Sequence, residues 1–325
     1  MCPELDSLYF SLSRIASCGF PRLLLANFAV ADLDGICGIG SVIHDGELIF
    51  RTLDQRMRIV TSLLPELMSA KSDGTDVAVV IDVLRATSVM TTAFESGAKQ
   101  IFTCCEVSEA ITLAGELALI DQMHQRPLLC GERKCKPIAG FDCGNSPAEY
   151  TPARVRGQTL IMTTTNGTRA IESASAAKRM IAASFLNLTR VVEFLRGFEL
   201  VHLVCSGTDG QITAEDVLLA GAIIDACIVE YQATIQDDDS RLALQAWSSS
   251  LPVAESTPWM SLRNEKGMQL SNVLAKCLCN TLGGENLRRL GFEQDLQLCA
   301  QIGQKSVIAE RSQRGPTAFK LLANN

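Results

Sequence analysis

The chain has 325 residues, 47% of them hydrophobic and 20% charged, and a formal net charge of −7. That is enough apolar material for one large domain or two smaller ones; an acidic chain without a Lys/Arg stripe disfavours nucleic-acid backbones as partners, and no apolar run reaches the ~20 residues of a membrane span. Thirteen cysteines without paired CxxC spacing predict a reduced, cytoplasmic protein with Cys as a small core residue, and three scattered histidines (His44, His124 and His202) argue against a zinc site.

In chain order, residues 1–56 show no clear period. The run RLLLANFAVA at 22–31 is short, interrupted by Asn27 and preceded by Glu4 and Asp6, which argues against a secretory signal. From Met57 the pattern sharpens. VAVVID at 77–82 is the continuous apolar run of a fully buried parallel strand. A helix over 86–96, a strand over 99–105 and a helix over 107–117 follow. A strand over 127–130 then opens a long loop at 131–152, rich in Gly, Pro and Asn. The alternation resumes with strand 159–164, helix 168–177, strand 179–183, helix 188–195, strand 200–205 and helix 214–229. Residues 232–265, with Asp237-Asp238-Asp239 and a Ser/Pro-rich stretch, are expected to be a solvated linker or excursion rather than a site. A helix near 270–282 and a packing segment at 296–309 follow. Alternating strands and helices imply βαβ units, and so a three-layer α/β/α domain on a mostly parallel or mixed sheet.

In such sheets ligands bind beyond the carboxyl ends of the strands. The chain puts its least generic polar residues there, at 82–85, 131–133, 163–168 and 205–209. The third place reads TTTNGT. A strand breaks at Gly167 and restarts as a helix, whose unpaired N–H groups face the hydroxyls of Thr163, Thr164, Thr165 and Thr168. Such a corner suits a phosphate, sulfonate or carboxylate; the alternative is a polar turn with a capping threonine.

Asp82 ends a buried strand, where a carboxylate is costly unless paired or metal-bound. Arg85 is either its structural ion-pair partner or a site arginine. Glu132 and Arg133 face the same crevice, and the loop at 140–147 makes Asp142 and Asn145 available. Ser206 and Gly207 lie in an open loop before Glu215 and Asp216, whose alternative role is to complement a helix dipole. Asp82, Glu132 and Asp216 offer hard oxygens with no histidine partner. That suits Mg²⁺ better than zinc, and Mg²⁺ commonly joins one or two carboxylates to a substrate phosphate. There is no GxxxxGK[ST] loop, and Leu84 stands where a DxDxT phosphatase needs its second Asp. A cysteine hydrolase of the isochorismatase type, built from Asp82, Lys134 and Cys205, is a further alternative, without a local signature for a low-pKa thiol.

Six runs in this order resemble the 2-phosphosulfolactate phosphatase family over residues 57–310: VAVVIDVLRATS (77–88), CGER (130–133), GFDCGNSP (140–147), TTTNGT (163–168), ASFLN (183–187) and CSGT…EDVLLAG (205–221). The resemblance implies that family's α/β/α fold. It implies Mg²⁺-dependent hydrolysis of 2-phospho-3-sulfolactate to 3-sulfolactate and phosphate, a step that leads to coenzyme M in methanogens. Carried onto this chain, it implies Asp82, Glu132 and Asp216 on Mg²⁺, directly or through water, and Arg85 on the phosphate. Residues 163–168 (Asn166 and Gly167 among them) and Arg133 would cradle the other anionic groups, Asn145, Ser206 and Gly207 would orient the ligand, and Asp82 or Glu215 would be the base. An acidic protein must gather positive charge to hold so anionic a ligand, and Arg85, Arg133, Lys134 and the amides of Gly167 and Thr168 can supply it. A non-catalytic binder of anionic metabolites on the same fold is the alternative.

The family tends to begin near the position of Met57. Residues 1–56 are therefore expected to be an extension outside the native start or poorly ordered, 57–315 the phosphatase domain and 316–325 a tail. Lys134-Cys135-Lys136 stands where smaller residues are expected and adds positive charge; Cys143 replaces an aliphatic residue. The apolar C-terminal segments make a homodimer the expected assembly.

Overall fold

The computed structural model describes residues 39–44, 47–52, 56–68, 74–120, 126–251, 265–312 and 318–322. Residues 1–54 and 55–325 form separate compact units. In the first, β1 (Ile39–His44) and β2 (Glu47–Thr52) pair antiparallel, with Ile39 opposite Thr52. The expected poor order of 1–56 otherwise falls outside the described residues.

The second unit runs β3 (Arg58–Ser62), β4 (Val77–Ile81), α1 (Ala86–Glu95), β5 (Gln100–Thr103), α2 (Val107–Ile120), β6 (Leu128–Arg133), β7 (Lys136–Pro137), α3 (Pro152–Val155), β8 (Thr159–Thr163), α4 (Gly167–Ser173), β9 (Arg179–Ala183), α5 (Leu188–Leu195) and β10 (Leu200–Cys205). It continues with α6 (Ala214–Tyr231), β11 (Thr234–Ile235), α7 (Asp238–Ser250), α8 (Glu265–Cys279), α9 (Leu282–Arg289), α10 (Glu293–Cys299), β12 (Ala309–Arg311) and β13 (Ala318–Leu321).

These strands form one sheet in the order β11-β3-β10-β4-β9-β12-β13-β5-β8-β6-β7. β11, β3, β10, β4 and β9 run parallel, and so do β5, β8 and β6. Antiparallel pairing of β9 with β12, β12 with β13 and β13 with β5 joins the two parallel sets. The sheet is therefore mixed, and the architecture is the expected α/β/α one.

β4 shows why the layers form. All five of its residues are fully buried, as a strand covered on both faces demands. The two-residue period sends Val77, Val79 and Ile81 into one apolar cluster and Ala78 and Val80 into the other. Each buried Val or Ile contributes roughly 1.5–3 kcal/mol of transfer free energy, so this strand anchors both cores. The helix Ala86–Glu95 packs into the second cluster through Val89, Met90, Ala93 and Phe94.

Three expectations are corrected. Residues 232–265 hold the helix α7 rather than only a solvated linker. Asp237 caps it by accepting the Ser240 N–H at 2.9 Å, and Trp247 is fully buried, stacked on Phe185 with ring centroids 6.1 Å apart. The acidic triplet is a helix start, and Ala243, Trp247 and Leu251, four residues apart, are its buried face. Second, 131–152 is not one loop: β6 extends to Arg133, β7 pairs back on it, and Pro152–Val155 is helical. Third, the predicted tail contains β13, which sits inside the sheet between β12 and β5 with Phe319 fully buried. The apolar C-terminal segments likewise go into the core, through Leu270, Leu274, Leu278, Leu296, Ile302 and Ile308.

Candidate active site

A cleft of about 350 Å³ opens where the loops after β4, β6, β8 and β10 meet the helix Leu282–Arg289. Among the residues expected to form a site, it is lined by Asp82, Arg85, Glu132, Asn145, Thr165 and Asn166, with Lys134 beside them.

Asp82 stands one residue past β4 and is 7% exposed. Its Oδ1 accepts the Ala86 N–H at 3.0 Å at the opening of α1. Burial, helped by the charges of Glu132 and Glu215, pushes its carboxyl up to about 7, against the pull of the Ala86 amide and Arg85. Gly167 makes this packing possible. A Cβ there would lie 2.6 Å from Ala86 Cβ and 2.7 Å from Asp82 Oδ2, so α4 can approach Asp82 only without a side chain.

Glu132, also buried, is fixed from two directions. Oε1 accepts the N–H of Thr165 at 2.8 Å and its hydroxyl at 2.9 Å; Oε2 accepts the Cys135 N–H at 2.6 Å. Asn145 presents a buried Oδ1 with no hydrogen-bond partner. Asn166 Oδ1 accepts the Asp209 N–H at 3.2 Å, tying the loop after β8 to the loop after β10, where Thr208 and Asp209 also line the cleft.

Arg85 does not form the ion pair with Asp82 that was one of its two expected roles. Its Nη1 donates to Asp295 Oδ2 at 2.5 Å, Nη2 donates to the Cys135 carbonyl at 3.2 Å, and the guanidinium lies over the Phe292 ring, 4.5 Å from its centroid. It remains on the cleft wall.

Other expected site residues act as supports. Arg133 donates to the Glu132 and Cys105 carbonyls and to Thr163 Oγ1, which ties its guanidinium to the frame, and it does not line the cleft. Thr163 is held there as well. Thr164 Oγ1 accepts the Thr168 N–H at 3.3 Å, and Thr168 Oγ1 donates to the Thr164 carbonyl at 2.8 Å, a local cap rather than an open anion corner. Asp142 pairs with Arg126 through both oxygens and takes the Leu129 N–H. Asp216, only 2% exposed, accepts from the amides of Val83, Ser206 and Gly207 and from the Ser206 hydroxyl. It staples the end of β4 to the end of β10, and Ser206 and Gly207 belong to that staple. Burial and the charges of Asp82 and Glu215 push its carboxyl up, against the pull of the Val83 amide and Ser206.

Glu215 lies behind the cleft wall, packed so closely on Gly283 that a Cβ there would fall 2.1 Å from Oε1. Its carboxyl is raised by burial, against the pull of Thr281, Thr213 and the Gly283 amide, while Oε2 has no hydrogen-bond partner. Among the described residues no three His, Cys, Asp or Glu side chains gather into a metal cage. Cys205 is fully buried, and its thiol is pushed well up by burial and by the charges of Asp216, Asp239 and Glu215. That removes the cysteine-nucleophile alternative.

The sequence reading missed the contribution of 282–295. Asn286, Arg289 and Leu290 line the cleft, and Asp295 is the partner of Arg85. The one local signal was Gly283-Gly284 after Thr281: the Thr281 hydroxyl accepts the Gly284 N–H at 3.0 Å, and Gly283 allows the close approach to Glu215.

No helix among the described residues is long and apolar enough to cross a membrane. A family profile described as 2-phosphosulpholactate phosphatase matches residues 62–314. The chain is similar to a protein of Symbiobacterium thermophilum, 39% identical over 233 residues, 71% of this chain and 89% of that one. It is similar also to one of Pseudothermotoga lettingae, 37% identical over 246 residues, 75% and 92% of the two chains. A protein of Thermotoga petrophila is 47% identical over a shorter span of 147 residues, 45% of this chain and 60% of its own. All three are named probable 2-phosphosulfolactate phosphatase. With the profile spanning most of its length, the chain belongs to the 2-phosphosulfolactate phosphatase family, a family of phosphoric monoester hydrolases.

Proposed function

We propose that the protein is a Mg²⁺-dependent phosphatase acting in the cytoplasm, which hydrolyses 2-phospho-3-sulfolactate to 3-sulfolactate and phosphate at the Asp82–Glu132–Arg85 cleft. The observation that carries this reading is the meeting of two buried carboxylates, one buried guanidinium and the unpartnered Asn145 Oδ1 on one cleft wall, in a chain of this family. The ten described free cysteines suit a reducing compartment.

The donor set fits Mg²⁺. Asp82, Glu132 and Asn145 offer hard oxygens, and Mg²⁺ needs only one or two carboxylates when substrate phosphate and water complete its shell. Asp82 and Glu132 would hold it, with Asp216 behind them as the staple. Bound there, the ion supplies charge neutralisation at the phosphoryl group and eases deprotonation of the attacking water.

This chain's own residues do the rest. Arg85, aimed by its two hydrogen bonds, supplies a fixed positive charge toward the phosphoryl oxygens. Asp82, where it reaches the ion through water rather than directly, is the candidate base, since its carboxylate lines the cleft. Glu215, the other candidate base, is 2% exposed and packs behind the cleft-lining Gly283, so it is the less direct of the two. Lys134 and Arg289, on the same cleft, supply positive charge for the sulfonate and carboxylate of the substrate. Phosphate release from 2-phospho-3-sulfolactate, with Mg²⁺ and with EDTA, tests the reading, with 2-phospholactate as control. Mg²⁺-dependent release favouring the sulfonated substrate supports it. Equal release from both substrates removes the sulfonate assignment, and no release from either leaves a binder of anionic metabolites.

A further inference from the structure

Arg85 has a choice of partners. It is 3% exposed, on the same cleft wall as two buried carboxylates, and its charge already acts on Asp82. A buried guanidinium in that position gains most by closing onto the carboxylates beside it, because an unpaired buried charge is costly. Closing would neutralise the groups that face the ligand and hide the charge that should meet a phosphate. It does not close.

The geometry points to Asp295 as a positioning residue that holds Arg85 off Asp82 and Glu132 and aims it into the cleft; this rests on the phosphatase reading above. Four contacts make the hold specific. Asp295 Oδ2 takes the Nη1 of Arg85 at 2.5 Å, and its own second oxygen takes the Ser146 hydroxyl at 2.6 Å, so the carboxylate is fixed before it fixes the arginine. The Phe292 ring, three residues earlier, forms a shelf under the guanidinium with its centroid 4.5 Å from Cζ. The Cys135 carbonyl takes Nη2 at 3.2 Å. Asp295 is 2% exposed and does not line the cleft, so it acts through Arg85 rather than on the ligand. Arg85 keeps further N–H donors for an anion, since a guanidinium carries five.

The test uses full-length Asp295→Asn, Asp295→Glu and Ser146→Ala. Three readouts are taken: the crystal position of Arg85, the affinity for inorganic phosphate with Mg²⁺ present, and the division of any rate loss between kcat and KM. In Asp295→Asn, Arg85 is expected to turn onto Asp82 or Glu132. Phosphate affinity should fall roughly tenfold, the worth of one charge-assisted hydrogen bond, with KM raised and kcat lowered together. Asp295→Glu keeps the charge and should recover most of the affinity. Ser146→Ala removes the hydroxyl that fixes the second oxygen of Asp295, and should weaken phosphate affinity about threefold, less than Asp295→Asn does. Should Asp295→Asn fail to fold, Phe292→Leu removes the shelf with the charge in place, and should weaken phosphate binding about threefold by letting Arg85 sway. An unmoved Arg85 with phosphate affinity within about twofold of wild type, in Asp295→Asn or in Phe292→Leu, overturns the proposal; so does a Glu variant no better than Asn. The position of Arg85 is readable without turnover, so an inactive wild type would count against the phosphatase reading and not against this one.

Discussion

Two segments shape the cleft by opposite means. Residues 163–168 turn most of their polar atoms inward: Thr163 is held by Arg133, Thr164 and Thr168 cap each other, and Thr165 braces Glu132. Residues 282–295 turn theirs toward the cleft and its arginine: Asn286 and Arg289 line it, and Asp295 holds Arg85. Hydroxyl-rich turns consume their own donors in building the turn. The groups left for a ligand then come from elements packed against the turn from elsewhere in the chain. One segment is frame and the other is contact surface, and the account can be broken at either.

The largest effect is expected at Asp82, the cleft carboxylate against which Gly167 packs. Asp82→Asn should lower kcat by roughly 10³-fold or more while the protein stays folded. A steady-state assay paired with a thermal melt checks this, and a variant with near wild-type turnover removes Asp82 from the chemistry. Next comes Gly167→Ala, on the frame. The added methyl meets Ala86 and Asp82 at under 3 Å, so α4 must shift, at a cost of about 1–3 kcal/mol, and activity should fall with stability. A urea melt showing no loss would mean the frame is softer than described.

Arg289→Ala tests the contact surface. The side chain is 69% exposed and shares only a 3.2 Å pair with Glu285, so stability should hardly change. KM should rise about tenfold with kcat nearly constant, as when uniform binding is lost. Thr163→Val is its mirror: a loss of about 1–2 kcal/mol of stability with KM unchanged. If the two variants swap behaviours, frame and contact surface have been assigned the wrong way round.

A separate test of the Asp82 environment lies in the pH dependence of the metal-free protein. Asp82 keeps its proton in the folded state up to about 7, whereas the unfolded chain releases it near the ordinary value of about 3.9. Between those values the folded state binds more protons, so this group's contribution to stability declines as pH rises from about 4 to 7 and is level above that. Denaturant melts in EDTA across that range should show the decline in wild type and a shallower one in Asp82→Asn. Identical slopes would mean that the Asp82 carboxyl is not raised.

Much of the frame was legible because it is local. β9, α5 and β10 fall on the residues their apolar periods predicted, the Asp82, Glu132 and Asn166 positions follow from strands ending at polar residues, and Asn145 from the turn-rich loop at 140–147. What stayed hidden depends on distance along the chain. Nothing in 282–299 announces that Asp295 will meet Arg85, 210 residues away. Nor does AFKL announce a strand inside the sheet, since its burial comes from β12 and β5 rather than from its own pattern. The acidic run at 237–239 misled for a local reason: charge at a helix start looks like a solvated linker until Trp247 is seen to be buried. Arg133 and Asp216 misled for another, because a charged side chain that satisfies backbone amides or carbonyls has the same sequence signature as one that meets a ligand.

The most direct measurement is phosphate release from 2-phospho-3-sulfolactate by wild type and Asp82→Asn, each with Mg²⁺ and with EDTA. The account predicts release by wild type with Mg²⁺ alone, and near-background release in the other three conditions. Release that persists in EDTA, or in Asp82→Asn at the wild-type rate, would contradict a Mg²⁺-dependent site built on this carboxylate.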